Sequence, residues 1–144
     1  MRRATRVRVV RHRCVLDSGG LSMLAAGSER ARAWLRWMVE HDGAISVPTP
    51  VLVESTTGDA GRDASVNRIL NVLQRAASVL IAPDEPTARR AGRLRYRARL
   101  DDGIDALVAA AAVADGSPCV LLTSDPRDLS RLLSGEPQVA VTAV

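Results

Sequence analysis

The 144-residue chain contains no lysine: all 20 of its basic residues are arginine. A Walker-type phosphate loop ends in a lysine, and receiver domains and haloacid-dehalogenase phosphatases ordinarily place one beside their acidic pocket, so none of these can be built here. Phenylalanine is absent too, and two tryptophans and one tyrosine are the only aromatic residues. Stacking platforms for nucleic-acid bases are therefore scarce, which shifts any recognition of a strand toward its backbone and shape. The two cysteines, Cys14 and Cys119, each open an apolar run and read as packed thiols rather than ligands or a disulfide. His12 and His41 have no second nitrogen or sulfur ligand at metal-binding spacing, which argues against zinc. Long apolar runs are missing as well, since the longest, residues 106–114, is far short of a bilayer span.

What is present describes one soluble domain. Hydrophobic residues make up 47% of the chain and mean hydropathy is close to zero, a balance that suits a single core at this length. The net charge of +4 and a pI of about 10.3 favour a polyanionic partner. Six arginines fall within the first thirteen residues, yet no apolar stretch of signal-peptide length follows them before Asp17. The expectation is a cytoplasmic protein with a basic leader over residues 1–12, without fixed structure or translated from too early a start codon, ahead of one domain over residues 13–144. No repeat, linker or low-complexity tract divides that domain.

Apolar and polar periodicities alternate along it. Cys14 to Leu16 reads as a buried strand ending at Asp17, with Ser18-Gly19-Gly20 as a turn. Ser28 caps a helix to about Glu40, whose Trp34, Leu35, Met38 and Val39 share an apolar face. Ala44 to Val47 is a second strand, and Pro48-Thr49-Pro50 leads into a helix through Glu54. After a polar break over Gly58 to Arg62, Val66, Ile69, Leu70, Leu73 and Ala77 mark another helix. Val79 to Ala82 is a third strand, and Asp84-Glu85-Pro86 opens an arginine-rich helix to about Leu100. Ile104, Leu107, Val108, Ala111 and Ala112 define the inward face of the next helix. Val120 to Thr123 is a fourth strand, Ser124-Asp125-Pro126 starts a short helix through Leu133, and Val139 to Val144 is a final edge strand. Strands alternating with helices predict a three-layer α/β/α domain on a central parallel sheet of four to five strands.

Four acids stand where a strand ends or a helix begins: Asp17, Glu54, Asp105 and Asp125. A parallel sheet brings such positions into one crevice at the carboxyl ends of its strands. Gathered carboxylates either take up protons or hold a hard cation. Each acid also has an ordinary explanation. Asp17 suits a turn before glycines, and Glu54 the positive end of a helix. Asp102 can cap a helix with Asp105 three residues on, and Asp125 can cap another with Asp128 three residues on. Glu54 points more to a site, since a charge beside Val51, Leu52 and Val53 on a packed helix is costly. Asp101, Asp102 and Asp115 read as solvated. Arg89, Arg93 and Arg97 form a positive stripe that is either a soluble face or a guide for a phosphate backbone.

The segments Val-Leu-Asp17-Ser-Gly, Pro-Thr-Pro-Val-Leu-Val-Glu54-Ser, Ile-Asp105-Ala-Leu-Val-Ala-Ala-Ala and Leu-Thr-Ser-Asp125-Pro-Arg-Asp128-Leu together resemble the PIN-domain ribonucleases, in particular the VapC-like toxins of type II toxin–antitoxin systems. The resemblance runs from about Cys14 to the C-terminus. It implies a Mg2+- or Mn2+-dependent endoribonuclease, a homodimer, and a cognate antitoxin protein that blocks the site. By position it makes Asp17, Glu54, Asp105 and Asp125 the acidic quartet, Asp128 a further acid, and Ser18, Thr123 and Ser124 supporting residues. The arginine-rich leader departs from the family, and the lack of lysine leaves RNA contacts to arginine, whose fork grips phosphate with two donors. Two rival readings stand beside this one: a PIN-fold interaction module without activity, and a phosphatase for small esters, which lacks an Asp-x-Asp nucleophile motif at the first strand.

Overall fold

The computed structural model describes residues 11–75 and 79–144; the expected leader therefore lies almost wholly outside the described residues. Five strands are present: β1 (Arg13–Leu16), β2 (Ala44–Pro48), β3 (Leu80–Ile81), β4 (Cys119–Thr123) and β5 (Val139–Ala143). They form one parallel sheet in the order β3-β2-β1-β4-β5. The central strands β1 and β4 are apolar almost throughout because helices cover both faces of β1 and most of β4, the usual state of a parallel sheet between helix layers.

Strand order dictates where the helices lie. Steps from β1 to β2 to β3 move one way across the sheet, and the steps to β4 and β5 move the other way. Right-handed crossovers therefore put the first helices on one face and the later ones on the opposite face. The first group is α1 (Ser18–Ala25), α2 (Glu29–Glu40), α3 (Val51–Ser55) and α4 (Ala60–Gln74), and the second is α5 (Glu85–Ala98), α6 (Gly103–Ala112) and α7 (Pro126–Leu132). The chain reverses direction between β1 and β4, which is where an open α/β sheet forms its crevice. Around it the core is aliphatic, with Val15, Leu16, Leu21, Val108, Leu121 and Leu122 all fully buried. Cys14 and Cys119 are buried free thiols in this core, as expected, and burial pushes them up to about 12 and about 11.

Several sequence expectations change once packing is visible. Ser18-Gly19-Gly20 is the first turn of α1 and not a reverse turn, with Asp17 as its N-cap. The glycines serve a close approach: a Cβ on Gly20 would be driven into the carbonyl oxygen of Leu122, and one on Gly19 would sit 2.9 Å from the Ser124 nitrogen. The polar break before α4 is its cap, because Asp59 accepts from the Arg62 amide at 2.9 Å while Asp63 accepts from the Thr57 and Gly58 amides at 2.8 and 2.9 Å. That helix begins at Ala60, and its expected last apolar position, Ala77, lies outside the described residues. The buried side of α6 is Ala106, Val108, Ala109, Ala110 and Ala112, while Ile104, Leu107 and Ala111 are half-buried. Alanine is small enough for α6 to be enclosed on more than one side.

Asp115, read as merely solvated, pairs with Arg13 at 3.0 Å. The same guanidinium donates to the carbonyls of Ala111 and Ala112 at 2.6 and 2.9 Å, closing the last turn of α6 onto the start of β1. No helix among the described residues is long and apolar enough to cross a membrane.

Replacing Gly20 with alanine is expected to cost about 1–3 kcal/mol, because the backbone of β4 cannot yield as a flexible side chain would. Urea unfolding should show a lower midpoint at unchanged slope. An unaltered midpoint would mean that α1 can retreat from β4 at no cost.

Candidate active site

Four helix N-termini meet the carboxyl edge of the sheet near the β1/β4 boundary, and each carries acid. Asp17 caps α1, Glu54 lies in the first turn of α3, Asp102 and Asp105 begin α6, and Asp125 and Asp128 begin α7. These are the positions where aspartate is locally favoured, since its oxygens satisfy free backbone N–H groups and face the positive end of the helix dipole. Local preference and a shared site thus demand the same residues, which is why the sequence alone could not separate the two readings.

Asp17 is the buried member, at 6% exposure. One oxygen accepts from the Gly20 amide at 2.6 Å. Burial raises its pKa; the Thr123 hydroxyl and the Gly20 amide oppose that rise, and the negative charge of Glu54 adds to it. Thr123 is itself buried, donates to the Asp125 carbonyl at 3.2 Å and accepts from the Asp125 amide at 3.1 Å, so it ties the end of β4 to the cap of α7.

Asp105 is half-buried and is pushed up to about 6, first by burial and then by the charges of Asp102, Asp17, Glu54 and Asp128. The Asp102 carboxylate accepts from the amides of Ile104 and Asp105, both at 2.9 Å. A reciprocal bond from the Asp105 carboxylate, which a full capping box requires, is not found among the described residues, so that carboxylate is left for another purpose.

Glu54 is exposed, so the burial cost that singled it out in the sequence does not arise. Ser18 Oγ donates to its Oε1 at 3.3 Å, which turns it toward α1 and the crevice. Asp125 is exposed and accepts from the Arg127 amide at 3.2 Å, and its charge is not among those that shift Asp17 or Asp105. Asp128, given the lesser role by sequence, is the α7 acid whose charge reaches Asp105. Ser124, the other supporting residue expected on this edge, is exposed and abuts Gly19.

Sequence reasoning missed two participants. Asp102 adds the largest single charge effect at Asp105, a consequence of the tight turn into α6. Ser55, beside Glu54, is buried and its hydroxyl has no partner among the described residues; only tertiary packing reveals that.

The arginine stripe is placed differently from the acids. Arg89 donates to Glu85 at 2.8 Å, Arg97 reaches the Leu132 carbonyl at 3.5 Å, and Arg93 lines a small polar cavity with Arg90, Arg97 and Glu136. None of the three is among the charges that shift the crevice acids.

The donors gathered at this edge are all carboxylate and hydroxyl oxygens, the donor type that suits a hard divalent ion; Asp105 is raised by burial and by the charges of Asp102, Asp17, Glu54 and Asp128. As the side chains stand, no three His, Cys, Asp or Glu groups among the described residues converge closely enough to hold a metal. Asp17 and Asp125 are each drawn back to a helix cap, so binding requires them to share or exchange those bonds. The donor type fits such an ion.

The PIN domain family model matches residues 14–132, which takes in all of these acids. The chain belongs to the PIN domain family. Solved PIN-like chains share its fold at low sequence identity. One is a toxin–antitoxin complex from Klebsiella pneumoniae, with 20% identity and a TM-score of 0.64, covering 91% of this chain and 99% of the other. Another is VapBC2 from Rickettsia felis bound to a DNA fragment from its promoter, with 13% identity, a TM-score of 0.67, and 92% and 98% coverage. A third is DNA-bound VapBC from Salmonella typhimurium, with 16% identity, a TM-score of 0.66, and 91% and 97% coverage. Comparison with curated proteins finds no match.

The raised Asp105 makes a pH prediction for this PIN domain. Its folded-state value of about 6 exceeds the ordinary 3.8, so the protonated form favours folding. That contribution is complete below about pH 4 and is lost as pH rises through 6. Asp105→Asn should therefore match the parent at pH 4 and exceed it by about 1 kcal/mol at pH 7 in chelator, after allowance for screening at a half-buried site. Equal unfolding midpoints at both pH values would remove Asp105 from the charged cluster.

Proposed function

We propose that the protein is a Mg2+- or Mn2+-dependent endoribonuclease and acts as the toxin of a type II toxin–antitoxin pair. The observation that carries this reading is Asp105 at the β1/β4 crevice of a PIN domain, pushed up to about 6 by burial and then by the charges of Asp102, Asp17, Glu54 and Asp128. A purely structural set of helix caps has no need to raise the pKa of its neighbours.

A divalent ion bound there would lower the pKa of a water and neutralise charge on the departing 3′ oxygen of a phosphodiester. Asp17, Asp105 and Asp125 would hold it, Asp125 once its carboxylate leaves the α7 cap, with Asp128 as a further acid. Glu54, exposed at the mouth and hydrogen-bonded to Ser18, is free to orient the attacking water and accept its proton. Burial raises the pKa of Asp17, and the Thr123 hydroxyl and the Gly20 amide offset part of that rise, favouring the carboxylate form that would bind a cation. Products would carry 5′-phosphate and 3′-hydroxyl ends.

The choice of RNA and the role as a toxin are supported by the sequence resemblance and by the shared fold with chains of toxin–antitoxin complexes. An antitoxin partner, a homodimer and a cytoplasmic setting belong to the same proposal. The rival, an inactive PIN interaction module, gains some support from the lack of a ready-made chelate.

The two are separated by assay. The parent protein should cleave RNA with Mg2+ or Mn2+ and stop on chelation. Asp17→Asn, which retains the cap to Gly20, should remain folded and lose more than about a hundredfold in cleavage, beyond the 10–100-fold cost of disturbing a mere outer partner of a metal ligand. Undiminished cleavage by the folded variant would defeat the assignment. Co-expression with the product of the adjacent gene should silence the activity if that product is the antitoxin.

A further inference from the structure

A second concave site lies toward the opposite edge of the sheet. The two runs of crossovers leave part of one face of β4 and β5 without a covering helix, and the flank of α2 walls it. The resulting groove, about 620 Å3, is lined by Trp34, Trp37, His12, Arg30, Val120 and Ala140 among others, and none of its lining residues is acidic. Both tryptophans and both histidines of the chain gather here. Trp37 stacks on His41 at 4.1 Å between ring centroids and meets His12 edge-on at 4.8 Å, while Trp34 meets Trp37 edge-on at 6.3 Å. The pairs that occupy Trp37 hold it in place, and Trp34 is left with a ring directed to the groove.

Arg30 is exposed and forms no ion pair among the described residues, unlike Arg32, which reaches Glu29 at 3.6 Å, and Arg13, which is held by Asp115. A held aromatic surface with an uncommitted guanidinium at its rim complements a planar ring carrying negative charge; the carboxylates at its margin, Asp115 and Glu136, are engaged by Arg13 and Gln138. Among biological polymers that combination is a nucleotide of a single strand, which offers a base to stack and a phosphate to pair. We propose that the α2/β4–β5 groove is a nucleotide-binding exosite, in which a base stacks on Trp34 and its phosphate pairs with Arg30.

The groove end of β4 is four residue steps, about 13 Å, from the acidic edge, so one strand can occupy both places. The choice of RNA as the strand rests on the reading of the protein as a ribonuclease; the site itself does not use the crevice acids.

Because the only two tryptophans both line the groove, intrinsic tryptophan emission reports on this site alone. Hexauridylate added to the full-length protein in chelator, so that the strand is not cut, should quench or shift that emission saturably. Arg30→Glu, a surface change that leaves packing intact, should weaken the response about tenfold or more, and Trp34→Leu should weaken it similarly, as expected for loss of one stacked base. On long RNA with Mg2+ or Mn2+, Arg30→Glu should raise KM and spare kcat. No emission change with hexauridylate, while RNA is still cleaved, overturns the exosite and leaves the nuclease standing. Saturable quenching without any cleavage supports the exosite and removes the nuclease. Emission that shifts with protein concentration alone, and not with hexauridylate, shows a second copy of the chain in the groove and overturns the proposal.

Discussion

The backbone contact of α1 with β4 is the constraint on which the crevice depends. Without side chains at Gly19 and Gly20, the first turn of α1 settles against Leu122 and Ser124. That seats Asp17 between the ends of β1 and β4, beside Thr123, and sets it in the field of Glu54 and Asp105. A pair of β-carbons would push the helix outward and open the deepest part of the site to water. The buried acid would then ionise like any surface carboxylate, and the mutual coupling that characterises the site would fade.

Gathering acids costs free energy, and the fold offsets part of it locally. Every acid concerned stands at or within the first turn of a helix, where amide donors and the helix dipole favour negative charge by about 0.3–1 kcal/mol each. This permits the apo protein to fold with its carboxylates close, but it also spends some of their oxygens. Asp17 and Asp125 hold their caps, while Asp105 has no such bond and is pushed up by burial and then by the neighbouring charges. The site is thus poised between two stable uses of the same oxygens, and a divalent cation would favour one of them.

Aromatic residues show how composition misleads when read without space. Three aromatic side chains in 144 residues argue against base stacking, yet the fold puts two of them, with His12, into one groove, and stacks His41 on one of the two. Of the two tryptophans on α2, only Trp34 stood out in the sequence as part of an apolar face. In the expected apolar face of Trp34, Leu35, Met38 and Val39, Leu35 and Met38 are buried, Trp34 is half-buried at the groove, and Val39 is exposed.

Sequence alone determined the alternation of strands and helices, the parallel sheet, the thiol character of the cysteines and the acids at strand ends, because these follow from local periodicity, turn chemistry and capping. It was weakest where one local signal serves two masters. Gly19-Gly20 reads as a turn until α1 is seen against β4, and Asp125 taken alone reads first as a helix cap. Glu54 was picked for a burial it does not have, and Asp128 and Asp102 were ranked low although their charges reach Asp105. Tertiary structure decided which acids feel one another, which arginines are already engaged and where a face stays open. Those are properties of distance and exposure between segments far apart in the chain, and no local pattern encodes them.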